Sequence, residues 1–390
     1  MELSTRARAA QDQIEAVTRF LADVGARAGQ PGVKDLTFGN PHEMPLLGLV
    51  DALRAQVEPR SEQWFAYKTN EDAPRTAIAA GLSVELGLPF EPEDVALTQG
   101  AFGAIDLATH LLADVGDEVI VPVPGWFCYP PMLEIAGLTP VPVPLTDGTF
   151  DLDVDAIARA ITSRTRIVVV NSPANPTGRV YPREQLTALG DVLTAASDRL
   201  GRRIWILSDE PYRRIRFDAV GFTSPAVVYP WTVIDYSYGK VLLAPGQRLG
   251  YLALGAGIPA DDRQSLRDAM VPAQLAIGWG FPDAVMQYAV PALEDVSIDV
   301  AELQRRRDRL HGGLAEAGYR VTRPEGTFYL WAEAPGHDGD GLTARLAERD
   351  VLVMPGLLFD RPGHFRMSLT ATMETIERAL PLLVAEAPGG

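Results

Sequence analysis

The apolar positions of this chain fall into two textures. Up to about residue 260, short runs rich in Val, Ile and Leu alternate with longer stretches in which apolar residues recur every three or four positions. The runs are VALTQ (95–99), EVIVPVP (118–124), TPVPVPL (139–145), RIVVVN (166–171), RIWILSD (203–209), TVIDYS (232–237) and LGYLAL (249–254). Helical spacing follows the earlier ones, in AFGAIDLATHLL, YPPMLEIAG, DVDAIARAI and REQLTALGDVLTAA. Near-continuous Val/Ile runs are what strands look like when both faces are covered. Strands alternating with helices in this way build a largely parallel sheet. The pattern predicts an α/β fold: a three-layer α/β/α unit around a mostly parallel, seven-stranded sheet.

Residues 5–28 read as an amphipathic helix or pair of helices, and 73–87 as another helix. Beyond residue 260 the texture changes. DDRQSLRDAMVPAQL and IDVAELQRRRDRLHGGLAEAG read as long helices, GTFYLWAEA, VLVMPG and HFRMSLT as short strands, and 373–386 as a last helix. That is an α+β unit. The expected division is a large domain over 46–275, a smaller C-terminal domain over 276–390, and a segment 1–45 that packs with the smaller domain.

Composition narrows the function. The chain has 390 residues, 47% hydrophobic and 22% charged, and a chain of this size buries roughly 75% of its unfolded surface without staples. The single cysteine, Cys128, precludes an intrachain disulfide and a cysteine-rich zinc site, and fits a reducing cytoplasm. Its place in the run reads as a buried thiol. The opening MELSTRARAAQDQIEAV lacks the apolar core of a signal peptide, and no window approaches a charge-free membrane span. A formal charge of -16 argues against a nucleic-acid partner. A phosphorylated small molecule needs only one local cationic site and stays open. Use of the fold as the ligand-sensing module of a transcription regulator would need a basic helix-turn-helix ahead of it.

Ligands in open α/β sheets bind beyond the carboxyl ends of the strands. There the sequence places Gly100-Ala101-Phe102-Gly103 at a helix start, Gly125-Trp126-Phe127, the stretch NSPANPTG (171–178), Asp209-Glu210-Pro211-Tyr212, and Ser237-Tyr238-Gly239-Lys240. Together they offer a phosphate-binding backbone, an aromatic plate, an amide, a carboxylate, a phenol and an amine. One ligand would use them all: a flat, phosphorylated pyridine aldehyde. The amine would form a Schiff base, the carboxylate would keep the ring nitrogen protonated, the amide and phenol would hold the ring oxygen, and the helix N-terminus with an arginine would take the phosphate. Each residue alone has an ordinary reading, as turn, cap or core; the ordered combination does not. No metal-ligand cluster, nucleophile elbow or Walker loop stands among them.

SDEPY and SYGKVLLAPGQRLGY, with NSPANPTG before them, resemble the motifs of fold-type I pyridoxal-phosphate enzymes of the class I/II aminotransferase family. The resemblance to that aspartate aminotransferase-like family runs from about residue 30 to 370, with the motifs in the family's order. It implies a cytoplasmic, homodimeric aminotransferase acting on an amino acid and a 2-oxo acid. It implies Lys240 as the Schiff-base lysine, Asp209 facing the pyridine nitrogen, Asn175 and Tyr212 on the phenolic oxygen, and Trp126 stacked on the ring. Gly100, Ala101, Phe102, Ser237 and Arg248 would bind the phosphate, and Tyr67 would reach the phosphate of a neighbouring subunit. Arg366 would clamp the substrate α-carboxylate, with Gly39 in the loop beside it and His42 near the entrance. The same cofactor residues would also serve a lyase, a cyclase or an oxidase.

Lysine is scarce here: Lys34, Lys68 and Lys240 are the only ones among 35 Lys+Arg. Arginine stands in for it almost everywhere, yet guanidinium stays protonated and is no amine nucleophile. Position 240 is where that exchange would forbid the chemistry. Three places depart from the family's usual text. Gly239 stands where a hydroxyl is common, Gly125 where an aromatic is common and would leave space beside the ring, and AIGWGFPDAVMQ (276–287), with Trp279, replaces more polar text. No convincing arginine for a substrate side-chain carboxylate stands out, so an aspartate or glutamate preference is not supported by this chain alone; a residue of a partner subunit could supply one.

Overall fold

The structure is a computed structural model that describes residues 3–278 and 281–388. Twelve strands form three sheets: β1 (Lys34–Asp35), β2 (Val95–Thr98), β3 (Glu118–Val123), β4 (Thr139–Pro144), β5 (Thr165–Asn171), β6 (Trp205–Asp209), β7 (Thr232–Ser237), β8 (Gly250–Leu254), β9 (Tyr329–Glu333), β10 (Val351–Leu352), β11 (Met354–Pro355) and β12 (His364–Ser368). The seven-stranded sheet has the order β2-β8-β7-β6-β5-β3-β4. Only β8 runs against the others, antiparallel to both β2 and β7.

Strand side chains point alternately to the two faces, and here both faces are covered. Ile167 and Val169 of β5, Trp205 and Leu207 of β6 and Val233 of β7 join one apolar cluster, with the helices Gly100–Leu112 and Tyr129–Ala136. Val168 and Val170 face a second cluster under the helix Arg183–Leu200, and Ile234 and Tyr236 face a third. This is why the strand runs read as unbroken apolar text. Among the described residues no helix is long and apolar enough to cross a membrane.

The C-terminal strands form the sheet β11-β12-β9. VLVMPG divides: its first half, β10, pairs with β1, and its second, β11, with β12. The N-terminal segment divides too. Residues 34–36 join the smaller unit through β1 and Leu36. The helix Thr5–Val24 instead packs on the helix Tyr129–Ala136, beside the large sheet. Ile14, Val17 and Phe20 on its apolar stripe enter a cluster that also takes in Trp331 and Phe359. The segment expected to pack with the smaller domain therefore bridges both units, because its apolar stripe finds cover over the large sheet.

Candidate active site

Asn171, Asp209 and Ser237 are the last residues of β5, β6 and β7. Strand register sets Asn171 opposite Asp209 and Asp209 opposite Asp235. Beyond these ends lies a cavity of about 240 Å³ whose walls come from the large sheet, from residues 38–40 and from the C-terminal unit. Lys240, Asp209, Tyr212, Asn175, Trp126, Ala101, Phe102, Ser237, Arg248, Gly39 and Arg366 all line it; Gly100 lies just behind, against Arg248.

Asp209 is buried. Its Oδ2 accepts from the Tyr129 phenol and, at 3.0 Å, from Asn171 Nδ2. Its Oδ1 is buried without a partner among the described residues. Burial pushes the carboxyl pKa up, and Asp235, Tyr129 and Lys240 pull against it. A buried acceptor left unmatched costs about 1–3 kcal/mol, so this oxygen asks for a donor from the cavity.

Lys240 stands on the short helix Tyr238–Val241 that follows β7 directly. Its Nζ lies 5.5 Å from the ring centre of Tyr212 and 5.9 Å from that of Phe328. Gly239 sits in a tight turn: a Cβ there would lie 3.0 Å from Pro245 Cα and 3.4 Å from the Ala244 carbonyl oxygen, so a side chain would press on the turn that presents Lys240.

At the other end of the cavity, Gly100 has φ +74°, and a Cβ on it would sit 2.9 Å from Arg248 Nη2 and 3.5 Å from Ser237 Oγ. Glycine fits because it tolerates the left-handed backbone and lets the guanidinium close. The helix Gly100–Leu112 starts there without a side-chain cap hydrogen bond. Its first-turn N–H groups lie beside Ser237 and Arg248, which gathers donors and a cation at this end of the cavity. Trp126 meets Phe102 edge-on at 4.7 Å and Tyr129 at 5.3 Å, which fixes its plane beside the cavity.

Arg366, in β12, is 1% exposed. Its Nη1 donates to Asn175 Oδ1 at 3.0 Å and its Nη2 to the Thr37 carbonyl at 2.8 Å, with Met354 Sδ at 2.7 Å. Tyr329 lies face-on, 3.7 Å from guanidinium carbon to ring centre. No described carboxylate pairs with this cation, and its Nε is buried without a partner. Burial lowers its pKa and the Tyr329 and Tyr212 phenols offset that. Because Asn175 gives its Oδ1 to Arg366, its Nδ2 is left for the cavity. The Tyr212 and Tyr329 rings meet edge to face, 6.1 Å between centres. Burial pushes Tyr329 up, but Arg366 and Lys240 together bring its pKa below the ordinary value. Gly39 is required by close approach, since a Cβ there would run into the Phe328 ring and sit 2.9 Å from the Tyr329 hydroxyl.

Some expected residues lie elsewhere. Tyr67 is fully exposed and lines a separate open groove with Phe65 and Leu275. His42 is half-buried and lines neither that groove nor the cavity. Gly125 leaves no space beside Trp126; a Cβ there would meet the Pro122 carbonyl oxygen at 2.5 Å. Cys128 lines the cavity as a buried thiol, and burial pushes its pKa up to about 12. Trp279 lies outside the described residues. Tyr129, Asn171, Asp235 and Tyr329 belong to the site and were not singled out from the sequence. Asn171 had a signal, as the last residue of a strand run; Asp235 is brought in by pairing across the large sheet, Tyr129 by helix packing and Tyr329 from the C-terminal sheet.

The model of aminotransferase class I and II matches residues 35–383. An aspartate/prephenate aminotransferase from Thermus thermophilus is 35% identical over 317 residues, which is 78% of this chain and 78% of its own. An aspartate aminotransferase from Geobacillus stearothermophilus is 29% identical over 378 residues, 92% of this chain and 89% of its own. Among solved structures, an amino transferase from Eubacterium rectale superposes with a TM-score of 0.86 at 29% identity, covering 97% of this chain and 94% of that one.

Proposed function

Because the chain belongs to the aminotransferase class I and II family, and is a pyridoxal-phosphate-dependent enzyme moving an amino group between an L-amino acid and a 2-oxo acid, we propose that its chemistry turns on Lys240, Asp209 and Arg366. The observation that supports this is their convergence: a lysine amine, a carboxylate oxygen without a partner and a buried guanidinium without a carboxylate line one cavity.

The residues fit the cofactor. Asp209 Oδ1 would accept the ring N–H, Asn175 and Tyr212 would hold the ring oxygen, Trp126 would cover the ring face, and Gly100, Ala101, Phe102, Ser237 and Arg248 would take the phosphate. When bound, pyridoxal phosphate supplies the aldehyde that receives the substrate amine and a ring that draws electrons from the substrate Cα. Arg366 grips the α-carboxylate and so orients the Cα hydrogen. The Lys240 amine, lining the same cavity, would take that proton and later return it; general base work of this kind contributes ~100- to 10,000-fold. A second oxo acid closes a ping-pong cycle. We read 46–275 as the cofactor-binding domain and 276–390 as the smaller domain.

The substrate class differs from what the relatives' names suggest. Phe38, Phe102, Phe127 and Tyr329 line the cavity together with Trp126. The cations among the described lining residues are Lys240, Arg248 and Arg366, and each has a task already. A side-chain carboxylate buried there would lack a counter-charge and cost several kcal/mol. On this chain's own residues the cavity therefore favours an amino acid with an apolar or aromatic side chain. In single-turnover absorbance measurements, L-phenylalanine and L-leucine discharge the bound cofactor's visible band at least about tenfold faster than L-aspartate, tenfold being ~1.4 kcal/mol. Aspartate as the fastest donor would overturn this, and sustained ammonia release without an oxo acid would point to a lyase.

Tyr67 is fully exposed beside exposed Phe65 and Leu275, which supports a role outside its own chain. We assign this face to a cytoplasmic homodimer in which Tyr67 completes the partner's phosphate site. Sedimentation equilibrium should give twice the mass of one chain, and a monomer at micromolar concentration would refute the shared site.

A further inference from the structure

A second carboxyl group, Asp235, lies beside Asp209, and no role above uses it. β6 and β7 are parallel with Asp209 opposite Asp235, so both side chains leave the same face of the sheet at the same level. Asp235 is fully buried, and neither oxygen meets a donor among the described residues. The register sets the two carboxyl groups side by side, and burial together with the Asp209 charge pushes the Asp235 pKa well above the usual carboxylate range. Two carboxylates are acceptors only, so neighbours at this register can satisfy each other only when one of them holds a proton.

The surroundings decide which. Asp209 collects the Tyr129 phenol, Asn171 Nδ2 and the charge of Lys240. Asp235 faces Asp209 and, at longer range, Glu210, which both disfavour a second charge. Its opposite number on β8 is Leu252. The helix Gly100–Leu112 brings Ala104, Ile105 and Ala108 to the cluster on this face. The helix Tyr129–Ala136 brings the Tyr129 phenol, whose proton already serves Asp209. No cation is among them. A charge on Asp235 would be desolvated and repelled with nothing in return.

We propose that Asp235 is a positioning residue that keeps its proton, donates it to the Asp209 carboxylate and, with Asn171 on the opposite strand, holds Asp209 as the anion for the cofactor ring nitrogen. This rests on the reading that Asp209 meets that nitrogen. Three donors from three elements (Asn171, Tyr129 and Asp235) make Asp209 a weaker base, so the shared proton stays on the ring. Without the Asp235 donor, Asp209 competes for that proton.

Asp235→Asn keeps a donor of nearly the same shape, and Asp235→Val removes it. In the cofactor-free protein at neutral pH, the infrared difference between wild type and Asp235→Asn should show the carbonyl stretch of a protonated carboxylic acid. In the loaded protein, the isotope-labelled ring nitrogen should give a protonated-pyridine signal in wild type and Asp235→Asn, and shift towards free pyridine in Asp235→Val. Asp235→Asn should bind pyridoxal phosphate within about threefold of wild type and Asp235→Val about tenfold more weakly, as loss of a hydrogen bond to a charged group requires. The proposal falls if wild type lacks the acid band, if Asp235→Val matches wild type, or if Asp235→Asn departs as far as Asp235→Val. Should Asp235→Val fail to fold, the infrared band and Asp235→Asn still decide. Should wild type take up no cofactor, the cofactor reading falls, while the band still reports the proton on Asp235.

Discussion

Alanine at position 240 leaves a protein that no longer joins pyridoxal phosphate covalently, and amino transfer falls by at least about 100- to 10,000-fold. The donors around Gly100, Ser237 and Arg248 and the open Asp209 oxygen are untouched by the change, so the cofactor still binds, without the bond. Arginine at 240 separates two explanations. It keeps a cation near the faces of Tyr212 and Phe328, where Lys240 Nζ now lies 5.5 and 5.9 Å from the ring centres. It does not supply an amine able to give up its proton. If the charge alone mattered, Lys240→Arg would be active; if the nucleophile and base matter, it fails with Lys240→Ala. Borohydride reduction followed by mass spectrometry gives the first readout, a permanent cofactor adduct in wild type and none in either variant. Single-turnover rates with L-phenylalanine give the second. An adduct and full activity in Lys240→Ala would place the chemistry on another amine.

What could be read from the chain before its fold was seen follows from where the site is built. Ligand residues at the ends of parallel strands sit in short, contiguous text, so Asp209, Ser237 with Lys240, and the stretch holding Asn175 were legible beside the runs that end there. The large sheet was legible for the same reason, because strands covered on both faces carry their own apolar signature. Contacts between distant strands and helices left no such mark. Asp235 reads as one polar residue inside an apolar strand, Tyr129 as an aromatic opening a helix, and Tyr329 as a core residue of β9; only sheet register and helix packing put them against Asp209 and Arg366. Gly125 and Gly239 misled in an instructive way. Each looks like a missing side chain at the cofactor, but at Gly125 backbone lies too close for a Cβ, and at Gly239 a Cβ would be pressed against Pro245. Tyr67 resists a single-chain account altogether, since its neighbours in the fold are solvent and other exposed apolar groups.

Arg366→Ala should lower kcat/KM for the preferred amino acid by about 100- to 10,000-fold, since two charge-assisted hydrogen bonds to a carboxylate are worth ~1.5–3 kcal/mol each. The loss belongs to the substrate and not to the cofactor, so binding of pyridoxal phosphate should stay close to that of wild type. Arg366→Lys keeps a positive charge but lacks the planar fork, and its flexible stem does not reproduce the hold that Tyr329 at 3.7 Å and the Thr37 carbonyl at 2.8 Å give the guanidinium. Its kcat/KM should fall between wild type and alanine. Stability should move the other way from activity or hardly at all. A buried guanidinium without a carboxylate is costly to the empty protein, and removing it relieves that cost while leaving Asn175 Oδ1 and the Thr37 carbonyl short of a donor. The two effects oppose each other, so the thermal midpoint of Arg366→Ala should lie near that of wild type while its turnover collapses. A variant that keeps kcat/KM within about tenfold of wild type, a loss under ~1.4 kcal/mol, would mean that the α-carboxylate rests on another cation. A variant that loses stability and activity in step would mean that Arg366 holds the two units together rather than the substrate.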